Sequence, residues 1–251
     1  MSDVQVKHDG MIAHVEMRRP PDNYFDRALI GDLADVFEAF DRDPAVRCIV
    51  LCAEGRNFCA GADFRADADA HIDPEPVYSE ALRLFRIETP VVAAIQGSAI
   101  GGGLGLALVA DFRVATASSR FAANFNRLGI HPGFALSDTL PRLVGAQRAA
   151  LLFYTGRRLT GAEALSIGLI DQLAEETGLR DAAIALANEI CTSAPLAVSA
   201  TRRTMRQGLA DAAAAAVAHE LSEQRVQFAT SDFREGVCAM ASRRTPQFDG
   251  R

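Results

Sequence analysis

The chain has 251 residues and a formal net charge of −6, with 49% apolar and 23% charged residues. That length suggests one domain or a domain with an appendage, able to bury roughly 70% of the surface its coil exposes. The mix is that of an ordinary globular protein, and the acidic balance argues against a nucleic-acid partner, since such binders are usually basic. Five cysteines (Cys48, Cys52, Cys59, Cys191 and Cys238) form no CxxC pair, and no histidine stands at metal-ligand spacing. The expectation is reduced thiols, no metal and a cytoplasmic location. No charged-then-apolar leader opens the sequence and no apolar run reaches membrane length, so no membrane association is expected.

Two short alternating segments, 4–7 and 12–17, flank "HDG", a hairpin signal. The turn-rich "RRPPDNYFD" follows, where prolines exclude helix. A helix is predicted over 28–40, with Leu29, Leu33, Val36, Phe37 and Phe40 on one face. "CIVLCA" (48–53) is continuously apolar, as a strand covered on both faces is. "EGRNFCAGAD" is a loop, and helical periodicity returns over 79–87. "PVVAAI" (90–95) is a second buried strand, and the triplet Gly101–Gly102–Gly103 follows it at the head of an apolar run. Alternation of strand and helix predicts α/β architecture with right-handed crossovers. From Gly145 onward the pattern is helical: 146–154, 161–167, 179–191, 196–208, 211–229 and a last helix from about Ser231.

The glycines carry the first hint of chemistry. The first turn of a helix has N–H groups without intrahelical partners and a positive dipole end. Glycine lets a ligand approach such a turn closely. "CAGAD" (59–63) is a second tight turn among small residues. Two N–H groups converging from these places would form an oxyanion hole, and loss of one such donor costs about 100–1000-fold in rate. Tight strand–helix packing explains a glycine triplet equally well. The spacing does not fit a dinucleotide fingerprint, and no Lys-Ser/Thr pair marks a P-loop.

Taken together, "RRPPDNYF", "CIVLCAEGRNFCAGADF", "TPVVAAIQGSAIGGGLGLALVADFRVAT", "GRRLTGAEALSIGLID" and "SDFREGVCAMASRRTPQF" follow in order the pattern of the crotonase (enoyl-CoA hydratase/isomerase) superfamily. The resemblance covers essentially the whole chain. It implies a crotonase-like α/β spiral core of repeated ββα units over 1–190 and a helical trimerisation region over 191–251. It also implies a homotrimer or a hexamer made of two trimers. The implied ligand is an acyl-CoA thioester, with coenzyme A entering as part of the substrate and no separate cofactor. The family's oxyanion hole falls on the N–H groups of Ala62 and Gly102. Cys59, Ala60, Gly61, Asp63 and Gly101 surround them as candidate substrate-binding residues, and Arg65 is a candidate contact to the CoA phosphates. Arg18, Arg19, Arg243 and Arg244 are further cations that could serve the phosphates.

The chain departs from the pattern at both carboxylates that hydratases of this family resemble one another in. Those positions carry Gly105 and Phe125. Adding water to an enoyl double bond needs a proton moved to carbon, and each general acid or base contributes about 100–10,000-fold. Hydration by the usual pair is therefore not expected. Three polar candidates remain in the segment from Asn124 to Pro141. His131 is a candidate base or acid, since the imidazole side chain can serve as either, though a loop histidine before proline serves equally as a hydrogen bonder. Asp138 stands where a helix begins and there complements the dipole. Asn124 cannot exchange a proton but can orient water or hold a substrate carboxylate. Phe125 is expected to pack on the acyl chain. The readings left open are a lyase, isomerase or hydrolase working through a thioester enolate, with decarboxylation fitting best, and a non-catalytic acyl-CoA binding protein.

Overall fold

A computed structural model describes residues 3–64 and 73–251. Strands β1 (Val4–Asp9) and β2 (Ile12–Met17) form the expected hairpin, turning at Gly10 with φ +60°. Helix α1 (Arg27–Asp41) buries Leu29, Ile30, Leu33, Ala34 and Phe37, and its first turn is capped by the Asp26 carboxylate on Leu29 N at 2.9 Å. Strand β3 (Cys48–Ala53) is buried at every residue: Ile49, Leu51 and Ala53 enter the main core, while Cys48, Val50 and Cys52 face a second, smaller one. Helix α2 (Glu75–Leu84) begins four residues before the predicted helix, because Pro76 is tolerated in a first helical turn.

Strand β4 (Val91–Ile95) runs parallel to β3. The chain does not then pass directly to the glycine triplet. It turns at Gly97, forms the three-residue strand β5 (Ser98–Ile100) and only then enters α3 (Gly102–Val109). Strands β6 (Phe112–Thr116) and β7 (Arg120–Ala122) follow, then helices α4 (Leu136–Val144) and α5 (Ala146–Thr155). Strand β8 (Leu159–Thr160) leads into α6 (Gly161–Ser166), and β9 (Gln172–Ala174) precedes α7 (Leu179–Cys191).

The large sheet has the order β1-β2-β3-β4-β6-β9, parallel from β2 onward; the small sheet has the order β5-β7-β8. Helix α7 covers the outer face of the large sheet through Leu179, Ala183, Ala187 and Cys191. Three helices close the chain: α8 (Pro195–Met205), α9 (Leu209–Gln227) and α10 (Ser231–Ala241). Ala213, Val217 and Leu221 of α9 and Phe233 and Val237 of α10 join the main core. Phe64 meets Phe228 and Phe233 at ring-centroid distances of 6.1 and 5.6 Å, so these last helices also hold the end of the loop that carries Ala62. Among the described residues no single helix is long and apolar enough to cross a membrane.

Candidate functional site

The small sheet delivers the chain to the head of α3. Gly101 N donates to Ala122 O at 2.8 Å, and Gly101 takes φ +56° and ψ −124°, which an L side chain rarely adopts. Its carbonyl accepts from Leu104 N and Gly105 N at 3.0 and 3.2 Å. The Gly102 N–H is left pointing out of the first turn, without a hydrogen-bond partner among the described residues. The rest of α3 is buried at every position, so this donor sits at the end of a dipole with little water to screen it.

Packing explains the other two glycines of this turn. A Cβ on Gly102 would lie 2.4 Å from Phe25 Cζ, and one on Gly103 would lie 2.2 Å from Cys59 O. The triplet thus serves tight packing and an open N-terminus together.

The second turn is built by clamping 54–62 between the 20–25 segment and β5. Asn23, fully buried, donates through Nδ2 to Glu54 O and Asn57 O, both at 2.7 Å. Ala60 N donates to Asp22 O (2.9 Å), and Gly61 O accepts from Phe25 N (3.0 Å). Cys59 pairs with β5 through Cys59 N to Ser98 O and Ile100 N to Cys59 O, each 3.0 Å. At Gly61, with φ +90°, a Cβ would lie 2.9 Å from Ile100 O and 3.7 Å from Gly102 N. The two main chains therefore meet beside Gly102, one residue from Ala62. The Ala62 N–H, like that of Gly102, has no hydrogen-bond partner among the described residues.

The walls of this place are aromatic and amide. A Cβ on Gly105 would lie 2.7 Å from Phe134 Cβ and 2.8 Å from its Cδ1. The Phe134 ring is tilted 52° to that of Phe25 at 5.5 Å and stands edge-on to Tyr78 at 6.3 Å. A Cβ on Gly101 would lie 3.6 Å from Asn124 Oδ1 and 3.8 Å from Phe125 Cζ. Asn124 is half-buried, and its side-chain amide has no hydrogen-bond partner among the described residues. The nearest atoms to Cβ positions at Gly101, Gly102, Gly103 and Gly105 belong to Asn124, Phe125, Phe25, Phe134 and Cys59; no carboxylate is among them.

The structure thus brings together Cys59, Gly61, Gly101, Gly102, Asn124 and Phe125, with Ala60 and Ala62 on the same turn. Asp63 is exposed just beyond it. Cys59 is buried, and burial pushes its thiol up to about 12, which removes it as a nucleophile at neutral pH. Arg65, and the loop histidine His71, lie outside the described residues.

His131 and Asp138 make their contacts elsewhere. His131 N donates to Gln227 Oε1, its Nδ1 lies 2.8 Å from Pro132 O, and its ring meets His219 edge-on at 5.4 Å. The ring lines an open groove of about 460 Å³ shared with Asn126, Ser137, Phe153, Tyr154 and Gln227. Asp138, in the first turn of α4, accepts from Arg142 Nε at 2.7 Å; the helix dipole and this ion pair account for it. Arg18 is bound to Glu16, Arg19 to Asp3 and Asp26, and Arg244 to Glu235.

Phe25, Phe134 and Glu220 shape the place without having been singled out in the sequence. Phe25 carried a weak signal in "DNYF", beside a buried asparagine. Phe134 and Glu220 carried none, because each acts on residues distant in sequence. Glu220 is fully buried, and burial pushes its carboxyl above the usual range against the pull of donors from Ser137 and Ala135.

The strand order and helical C-terminal region, with two loops meeting at the head of α3, are those of the crotonase fold. The model of the "Enoyl-CoA hydratase/isomerase" family matches residues 7–251. The 1,2-epoxyphenylacetyl-CoA isomerase of Escherichia coli is 30% identical, over 96% of this chain and 98% of that protein. A probable enoyl-CoA hydratase of Mycobacterium tuberculosis, EchA12, is 35% identical over 94% of this chain and 89% of that one. The crystal structure of an enoyl-CoA hydratase/isomerase from Pseudoalteromonas atlantica superposes with a TM-score of 0.89 at 31% identity, covering 98% of this chain and all of the other. The chain belongs to the enoyl-CoA hydratase/isomerase family, whose members process acyl-CoA thioesters.

Proposed function

We propose that this chain is an enzyme that stabilises a thioester enolate between the N–H groups of Ala62 and Gly102, and that it generates the enolate by decarboxylating a malonyl-type acyl-CoA rather than by hydrating an enoyl-CoA. The observation that carries this reading is the first turn of α3. The Gly102 N–H there and the Ala62 N–H of the adjoining turn have no partners among the described residues, nor has the Asn124 amide beside them, and Gly105 and Phe125 occupy the places where the resemblance implies hydratase carboxylates.

The chemistry follows from that inventory. When the Cα–carboxylate bond of the substrate breaks, its electron pair stays on Cα and delocalises onto the thioester oxygen, and CO2 leaves. No base is needed. The oxygen gains charge where the two N–H groups lie, in surroundings of Phe25, Phe125 and Phe134 that exclude water and strengthen the interaction. Asn124 Nδ2 donates to the departing carboxylate and fixes its orientation. A water that enters the space CO2 has left gives its proton to Cα, and the hydroxide passes out to solvent. Neither His131 nor Asp138 is assigned a step.

The test is a panel of malonyl-, methylmalonyl-, enoyl- and β-ketoacyl-CoA thioesters, with products followed by mass. Release of CO2 from a malonyl-type thioester is expected. Hydration of an enoyl-CoA with no decarboxylation anywhere would falsify the proposal, and saturable binding without product would make the chain an acyl-CoA binder. We further propose a homotrimer or a hexamer of two trimers, supported by the exposure of Leu196, Met205 and Val226 on α8 and α9. Light scattering that gave a monomer would refute it.

A further inference from the structure

Helix α9 carries Glu220, Gln224 and Gln227 at i, i+4 and i+7, along one face. Glu220 is 0% and Gln224 1% exposed, unusual for such residues. The Glu220 carboxylate accepts from Ala135 N (2.8 Å), Ser137 N (2.9 Å) and Ser137 Oγ (2.6 Å). Gln224 accepts from the Tyr78 hydroxyl (3.0 Å) and donates to His131 O (2.8 Å), while Gln227 Oε1 accepts from His131 N. Three side chains of one helix therefore grip both ends of the segment 131–137.

What they hold is a conformation that would not persist unaided. Phe134 and Ala135 stand at φ +64° and +57°, consecutive left-handed residues neither of which is glycine. Glycine at either position would relieve the backbone at once. At 134 the strain is matched by the position of a ring: Phe134 fills the space against Gly102 and Gly105 and lies on Phe25. Gly133, just before it, is pressed so close to Tyr78 that a Cβ would lie 1.9 Å from the hydroxyl.

We propose that the Glu220–Gln224–Gln227 stripe of α9 is a positioning element of the thioester site, holding the 131–137 segment so that Phe134 walls the first turn of α3 and keeps water from the Gly102 N–H. The inference rests on the reading that this N–H binds the thioester oxygen. The C-terminal helices are then part of the site of their own chain. None of the three α9 residues touches substrate; they act through Phe134.

The probe is cinnamoyl-CoA, an aromatic enoyl thioester whose absorption moves to longer wavelength as its carbonyl is polarised. It is titrated into the full chain, Glu220→Gln and Phe134→Leu, with coenzyme A titrated in parallel. The wild-type protein is expected to red-shift the bound probe. Both variants are expected to lose at least about half of that shift while binding coenzyme A within about threefold of wild type, as weakening of a preorganised donor implies. No shift with the wild type overturns the oxyanion reading itself. A full shift retained by both variants overturns the positioning role alone. Loss of shift and of coenzyme A affinity together marks general collapse and also overturns it. If Glu220→Gln does not fold by circular dichroism, Ser137→Ala, which removes one donor and no buried charge, takes its place under the same criteria.

Discussion

Two helices, α3 and α4, start within one packed cluster, and they start in opposite ways. Each is entered through a left-handed residue, Gly101 at φ +56° and Ala135 at φ +57°, and neither has a capping side chain of its own. At α4 the donors are taken: Glu220 reaches across from α9 and accepts from Ala135 N and Ser137 N. At α3 the Gly102 N–H is left without a partner among the described residues. Orphan donors in a buried place are costly, and folded proteins satisfy nearly all of them. A fully buried carboxylate serves one helix head while the adjacent head is left bare, and this contrast supports the proposal that the second head serves something outside the chain.

The largest effect expected from breaking this contrast is at Gly103. A methyl there meets the Cys59 carbonyl at 2.2 Å, and main chain pinned to β5 cannot step aside. Gly103→Ala is expected to cost about 3 kcal/mol or more, or to prevent folding, beyond ordinary overpacking. Gly178→Ala, with open space around it and an ordinary φ, is the control and is expected to stay within about 0.5 kcal/mol of wild type. Urea denaturation of the pair measures it; equal midpoints would remove the packing account of the triplet.

Next comes the satisfied head. Glu220→Ala leaves two main-chain donors and a hydroxyl without their acceptor, each group costing about 1–3 kcal/mol when it stays buried and unpaired. The hydroxyl of half-buried Ser137 can turn to water, and the two main-chain donors together make about 2–6 kcal/mol by the same denaturation. A neutral result would mean that water replaces the carboxylate and that α4 needs no donor from α9.

Gly105 ranks third. Its methyl would lie 2.7 Å from Phe134 Cβ, so Gly105→Ala is expected to cost about 1–3 kcal/mol. Phe134→Gly removes both that Cβ and the ring atoms beside it. In a double-mutant cycle the pair should couple by about 1 kcal/mol or more, the double variant being less damaged than the sum. Simple additivity would show that the two positions are not complementary.

Sequence and structure agree where local periodicity is strong and part where partners are remote. Continuous apolar runs at 48–53 and 90–95 marked β3 and β4, and the repeating helical pattern after Gly145 located α5 to α10 within a few residues. β5, β7 and β8, with three, three and two residues, are too short to show alternation, and so the small sheet that aims the chain at Gly101 was not legible. The glycines announced an open turn by themselves. That Phe134 fills the space at Gly105 could not be read, because 29 residues separate them and nothing local marks Phe134 as left-handed. Nothing local in the sequence sets Glu220, Gln224 and Gln227 apart from the rest of their helix. Only the fold reveals that this face is turned inward. His131 and Asp138 drew attention as the titratable groups of their segment, and their contacts with Gln227, Pro132 and Arg142 are of the kind any loop and helix make.

The smallest effect on stability is expected at Asn124, and it is the most telling for the bare head of α3. Its side-chain oxygen lies 3.6 Å from a Cβ position on Gly101, and its amide has no partner among the described residues to lose. Asn124→Ala should therefore leave the denaturation midpoint within about 0.5 kcal/mol of wild type. Turnover is a different matter. If the amide orients a substrate carboxylate, its removal costs one charge-assisted hydrogen bond of about 1.5–3 kcal/mol, which is about 10–100-fold in kcat/KM for a malonyl-type thioester. Asn124→Asp separates orientation from bulk: it keeps the shape, turns the donor into a second negative charge facing the substrate's own, and should be worse than alanine. An aspartate variant as active as wild type would show that no substrate carboxylate sits there.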